Sequence, residues 1–249
     1  MDVLTFRRTI FLKFILSILM ASTSSDTFAQ YSIDSISLEG DITKWYDQQL
    51  GLQHTVLQHG ELASISRKSP NSHAYFEQSS WVSTNITYCD QTFSDIPALY
   101  DIENDKLIIT NNLGTSFAAF PLELRKDLVD RFEMEGARFI YVNEAVSWHQ
   151  KGFFKAVYEG ESIDLLSKVF KRLEFKYGIL TYKQTEHYFL RKEGQYHRLK
   201  RLSGLLKLFP EHKRDIRQYR KELSLRRIDD PANEGKLALL IKYCENLKK

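Results

Sequence analysis

Residues 152–170 read GFFKAVYEGESIDLLSKVF, two runs rich in Phe, Val, Ile and Leu joined across Glu159-Gly160. Strand side chains alternate between two faces, and Glu-Gly is turn chemistry, so the stretch reads as strand, turn, strand. HYFLRKEGQYHRL (187–199) repeats the device, with its bend at Lys192-Glu193-Gly194. ALYDIENDKLIIT (98–110) does so earlier, with Glu103-Asn104-Asp105 between its apolar runs. NITYC (85–89), SFAAF (116–120) and RFIYV (138–142) are read as further strands. PLELRKDLV (121–129) is read as a short helical turn opened by Pro121.

The period of two runs from about Tyr75 to Leu199 and then changes to 3.6. Leu202 to Phe209 forms a short helix, and Pro210 is placed to open a second, since its missing N–H falls among the unpaired first-turn groups. Asp230 caps a last helix whose apolar stripe is Leu237, Leu240, Ile241, Cys244 and Leu247. Strands first and helices last predict an α+β fold: an antiparallel β meander or roll followed by C-terminal helices. The predicted single domain covers 74–249, with strands at about 74–199 and helices at about 201–247. Residues 30–73 are an irregular lead-in, with a short helix at ITKWYDQQL (42–50) and a loop at SRKSPNSH (66–73).

Residues 1–29 stand apart. Arg7 and Arg8 precede an apolar run from Ile10 to Met20, and Thr27-Phe28-Ala29 supplies small residues at a cleavage site. This is the layout of a secretory signal peptide, which puts the mature start at Gln30 and the protein in the periplasm or outside the cell. No later segment reaches about 18 uninterrupted apolar residues, so no transmembrane segment is expected after cleavage. The 249 residues are 43% hydrophobic and 27% charged, enough to bury a core without staples. An oxidising compartment permits a disulfide between the only two cysteines, Cys89 and Cys244. The stripe around Cys244 favours the other reading, a small buried hydrophobe with a free thiol.

Charge is divided along the chain. Residues 30–167 hold 10 Lys and Arg against 20 Asp and Glu, whereas 168–227 hold 18 against 6. The division recurs inside FPEHKRDIRQYRKEL (209–223). At 100° per residue, His212, Ile216, Tyr219 and Leu223 fall within about 60° of one another and form a core face. Lys213, Arg214, Arg217, Arg220 and Lys221 lie on one flank, and Glu211, Asp215 and Glu222 on the other. Like charges four residues apart repel, so something acidic nearby is expected to offset the cost. The nearer source is internal, an acidic strand-rich half packed beside a basic half. The other is an anionic partner on those five residues: lipopolysaccharide, an acidic glycan or an acidic protein.

These pieces together resemble a family of small exported proteins of the Bacteroidetes lineage. The likeness lies in the order of Tyr100-Asp101 before NDKLII, Gly152-Phe153-Phe154 leading to VYEG, HYFLRKEGQYHRL, LLKLFPEHKRDIRQY and a last helix ending LIKYCENL. It spans the chain from about Leu50 onward. The resemblance implies an exported chain with this α+β layout and brings no catalytic residues with it. One departure is LQHGELA, where the pattern has an Asn-Gly turn and this chain has His59-Gly60.

Enzyme signatures are absent: no Gly-x-Ser-x-Gly, no phosphate-binding glycine loop, no Gly-x-Gly-x-x-Gly and no His-Glu-x-x-His. No cofactor is implied and no metal set is formed. His54 and His59 are five residues apart, which turns them to different faces of a helix or strand. Glu186-His187 and His197 flank the last hairpin and offer an acid and an imidazole without a nucleophile. Trp81 and Trp148 lie in or beside loops, where rim packing competes with stacking on a ligand. FKRLEFKYG (170–178) interleaves aromatic and basic residues, but export argues against nucleic acid as its partner. The expectation is a non-enzymatic binding or interaction module of the cell envelope. The alternative is an envelope hydrolase or isomerase with a carboxylate or histidine site.

Overall fold

The structure is a computed structural model, and it describes residues 55–65, 72–110, 120–146, 149, 151–176 and 178–247. Residues 1–29, the helix expected at 42–50, His54, Trp148 and most of SFAAF lie outside the described residues. The fold is a strand-rich antiparallel sheet followed by C-terminal helices, which is α+β.

Among the described residues eleven strands pair in the order β1-β5-β4-β3-β2-β6-β7-β8-β9-β10-β11. They are β1 (Glu61–Leu62), β2 (Val82–Tyr88), β3 (Gln91–Asp101), β4 (Lys106–Thr110), β5 (Pro121–Glu123) and β6 (Val129–Met134). β7 (Ala137–Val142), β8 (Gly152–Glu159), β9 (Ile163–Lys176), β10 (Ile179–Lys192) and β11 (Gln195–Leu199) complete the sheet. The three hairpins predicted at 98–110, 152–170 and 187–199 all form. Glu193 and Gly194 close the last one with φ of 53° and 75°, the left-handed geometry a tight two-residue turn needs.

The expectation for 121–129 is corrected. PLELRKDLV is not one helical turn. Pro121–Glu123 is a strand between β4 and β1, and only Lys126–Leu128 forms a 3₁₀ turn. Leu122 and Leu124 are both buried while Glu123 is half-buried, a period of two that commits the segment to the sheet. The lead-in also belongs to the fold, because Leu57 is fully buried in the main core and β1 pairs with β5.

Among the described residues three α-helices follow: α1 (Leu202–Leu208), α2 (Lys213–Glu222) and α3 (Glu234–Asn246). Pro210 precedes α2 by a turn and does not open it; the first helical bond there runs from the Ile216 amide to the His212 carbonyl. Asp230 accepts from the Ala232 amide at 3.1 Å and caps a 3₁₀ turn, Pro231–Asn233, that leads into α3.

One core gathers Tyr88, Tyr100, Phe132, Phe139 and Phe153 from β2–β8. A second joins Leu165, Tyr188 and Leu190 to Leu205, Ile216, Leu237 and Ile241 of the helices. A third, on the opposite face of β8–β10, holds Phe154, Leu166 and Phe189. The strand period therefore decides which chemistry meets which face: Glu186 and Tyr188 look toward the helices, His187 and Phe189 away from them. Cys89 packs beside the first core and Cys244 lies buried in the second, and both are free thiols, so the disulfide is not formed. Burial pushes the Cys244 thiol up to about 12, which keeps it protonated and inert.

Candidate functional site

Four polar clusters stand out, and three of them are closed on themselves. In the first, Lys168 Nζ donates to Asp105 Oδ1 at 2.9 Å and to the Phe153 carbonyl at 2.7 Å. Tyr100 OH donates to Asp105 at 2.7 Å, and Lys126 pairs with it at 3.2 Å. This network ties the β3–β4 turn to β8 and β9.

In the second, Tyr188 OH donates to Glu186 at 3.1 Å and to Glu234 at 3.3 Å, while Lys155 Nζ pairs with the same carboxylates at 3.5 and 2.7 Å. Ser167 Oγ adds a donor to Glu186 at 3.2 Å. Burial and the two carboxylates push the Tyr188 phenol far up, so it keeps its proton. A cavity of about 650 Å³ opens beside Lys155 and Glu234. Three of the other acids on that cavity are also engaged: Arg138 holds Glu133 and Glu159 at 2.8 Å each, and Gln78 holds Glu135 at 2.7 Å.

The third is a histidine pair. His149 Nε2 and His187 Nδ1 lie 2.9 Å apart, among Phe154, Phe170 and Phe189. Burial, with neighbouring positive charge second to it, pushes both imidazoles down to about 4. Glu186 and His187 therefore do not act together, as their adjacency in sequence allowed, because they occupy opposite faces. His197 pairs across from Leu190. As pH falls below the ordinary imidazole value of 6.5 the unfolded chain takes up protons before the folded one does, so stability is lost from there down to about 4. Urea unfolding across that window is expected to show this slope, and His187→Phe to flatten it; an equal slope in both proteins contradicts the assignment.

The fourth cluster is open, and it is cationic. β11 ends at Leu199, and Lys200 and Arg201 follow on the surface before α1. α2 ends at Glu222, and the chain reverses at Ser224, whose φ is 52°. Leu225 and Ile228 then sink into the helix core, at 2% and 3% exposure. That three-residue step anchors the chain on both sides of Arg226 and Arg227 and leaves both exposed. Arg220 reaches back from α2 and donates through Nη2 to the Arg226 carbonyl at 2.8 Å. Its Nε is buried and has no hydrogen-bond partner among the described residues. Lys200, Arg201, Arg220, Arg226 and Arg227 thus wall one cavity of about 350 Å³, and Asp229, engaged by Arg227 through two bonds of 3.2 Å, is the acid among its described lining residues.

The five residues expected on the basic flank divide. Arg220 lies about 40° from Ile216 on the helical wheel, nearest the core face, and the structure turns it into the cavity wall. Lys213, Arg214, Arg217 and Lys221 are exposed, and their side chains make no hydrogen bond or ion pair among the described residues. Among the described residues, these four side chains form no ion pair with the acids of 30–167. Lys200, Arg201, Arg226 and Arg227 were missed. Their signal was two basic pairs standing just outside the periodic segments, where nothing requires them for packing.

Guanidinium groups bind phosphate and carboxylate through paired N–H donors. The described lining of the cavity has no imidazole, and its carboxylate, Asp229, is held by Arg227. No protein-family model, curated protein or solved structure matches the chain.

Proposed function

We propose that the protein is an exported, non-enzymatic binding module of the cell envelope, a rolled sheet closed by helices, whose C-terminal cavity receives phosphate groups. One observation carries the reading: five cationic side chains converge on a single cavity of about 350 Å³ whose acid, Asp229, is held by Arg227. An excess of positive charge suits a doubly charged phosphate better than a single carboxylate. The exposed Lys213, Arg214, Arg217 and Lys221 extend the positive field beyond the cavity. The phosphates of lipopolysaccharide and of a free phosphorylated glycan share this chemistry.

Calorimetric titration with inorganic pyrophosphate tests the cavity, and lipopolysaccharide before and after dephosphorylation distinguishes the two sources. Pyrophosphate is expected to bind, and Arg201→Ala with Arg226→Ala to weaken it about tenfold or more. Lys213→Glu with Lys221→Glu is expected to leave the melting temperature in place, since neither side chain has a described partner to lose. Unchanged affinity in the arginine variant, or no binding by the wild-type protein, contradicts the proposal. A hydrolase or isomerase remains the second reading, favoured by Lys155 and Glu234 at the edge of the larger cavity. The satisfied hydrogen bonds of that cluster instead give it the work of fixing α3 to the sheet.

A further inference from the structure

β9 and β10 are each 14 residues long, far longer than their neighbours. β8 pairs with β9 only as far as Ser167, and β11 pairs with β10 only from Tyr188. Farther out, Lys171 donates to the Ile102 and Tyr75 carbonyls, and Tyr182 bonds to Ser72 and Glu103. Past Leu173 and Tyr182, the hairpin continues with no third strand beside it among the described residues.

That end of the hairpin is apolar. Phe175 is 73% exposed, Ile179 58% and Leu180 40%. Phe175 and Leu180 are direct cross-strand partners and share a face. Ile179, one residue from Leu180, faces the other way. Both sides of the tip are therefore apolar, a wedge in place of a half-buried sheet. Exposed apolar clusters of this kind mark interaction surfaces. The segment 171–183, KRLEFKYGILTYK, carries four cations, Lys171, Arg172, Lys176 and Lys183, and one acid, Glu174.

We propose that the tip of this hairpin seats on an anionic lipid surface. Lys183 pairs with Glu174 at 3.8 Å, and the segment keeps a net positive charge. An apolar wedge on a segment of net positive charge complements a bilayer whose hydrocarbon begins just beneath negative headgroups. A second copy of the chain is the poorer occupant, because two such tips bring like charges together. The edge N–H and C=O groups of an unflanked hairpin keep insertion shallow, at headgroup depth, since hydrocarbon cannot satisfy them. The surface is separate from the cationic cavity, and the proposal does not depend on phosphate recognition there.

Vesicles of phosphatidylcholine, with and without phosphatidylglycerol, provide the test. The purified protein is expected to sediment with the phosphatidylglycerol vesicles, less so as salt rises. Phe175→Asp with Ile179→Asp is expected to weaken that binding about tenfold or more. Both side chains are solvent-exposed, so circular dichroism and the melting temperature should stay as in the wild type. Arg201→Ala with Arg226→Ala should retain binding, which separates this surface from the cavity. Phe175→Trp places a reporter at the tip, and brominated acyl chains should quench it. Absence of vesicle binding, equal binding by the tip variant, binding without quenching, or a dimer abolished by Phe175→Asp with Ile179→Asp overturns the proposal.

Discussion

Asp105→Ala is expected to cost about 3–5 kcal/mol of folding stability, because it leaves a buried lysine without its counter-charge. Lys168 is 6% exposed, and its ammonium has Asp105 and the Phe153 carbonyl as acceptors. Burial already pushes the Lys168 ammonium down, and Asp105 is what holds it up. Tyr100, fully enclosed among Phe132, Phe139 and Phe153, would lose its acceptor in the same substitution. Gly152 belongs to this arrangement, since a Cβ there would overlap Asp105 Oδ2 and crowd Lys168 Nζ. Urea unfolding of Asp105→Ala, Lys168→Met and the double variant separates pairing from packing. The double variant should lose much less than the sum of the two. A loss below about 1 kcal/mol for Asp105→Ala would mean that the network is incidental to stability.

Glu245→Gln is expected to remove this carboxylate's own share of the stability lost between about pH 4.5 and 2, and to loosen the last helix. Glu245, on α3, accepts from Tyr158 OH at 2.6 Å, from the Ser162 amide at 2.7 Å and from the Ile163 amide at 3.3 Å. Burial pushes the carboxyl up, but these donors outweigh it and hold it at about 2, below its ordinary 4.5. The folded state thus favours the carboxylate. That stabilisation is complete above pH 4.5 and is lost as pH falls toward 2. The wild type should show this loss in urea midpoints, and Glu245→Gln should lack it. Glu245→Ala should cost about 3 kcal/mol at neutral pH, by the usual worth of hydrogen bonds to a buried charge. Gly160 is tied to the same contact, because a side chain there would meet both Glu245 oxygens. An identical acid profile in wild type and Glu245→Gln would contradict the assignment.

The hairpins at 152–170 and 187–199 were legible because alternation and the turn residues Gly160 and Gly194 agree with each other. Pro121–Glu123 was not, because three residues are too few to show a period, and only pairing with β4 and β1 settles it. The helical wheel separates the α2 charges from the Ile216 face but could not tell that Arg220 folds inward, which depends on the chain reversal after Glu222. Nor could sequence join Lys200-Arg201 to Arg226-Arg227. They meet because Leu225 and Ile228 sink into the same core as α1, a consequence of tertiary packing. Adjacency in the chain misled at Glu186-His187, since neighbours in a strand point to opposite faces. The true partner of His187 is His149, 38 residues away beyond β8.

The most direct test of the account is nitrogen-15 NMR of the arginine side chains during titration with inorganic pyrophosphate. The account expects saturable shifts at the Nε–H groups of Arg201, Arg220, Arg226 and Arg227, with Arg220 gaining an acceptor that its Nε lacks in the free protein. Arg214 and Arg217 on the outer flank should move little. Shifts spread evenly over all exposed arginines, or none at the four in the cavity, would contradict it.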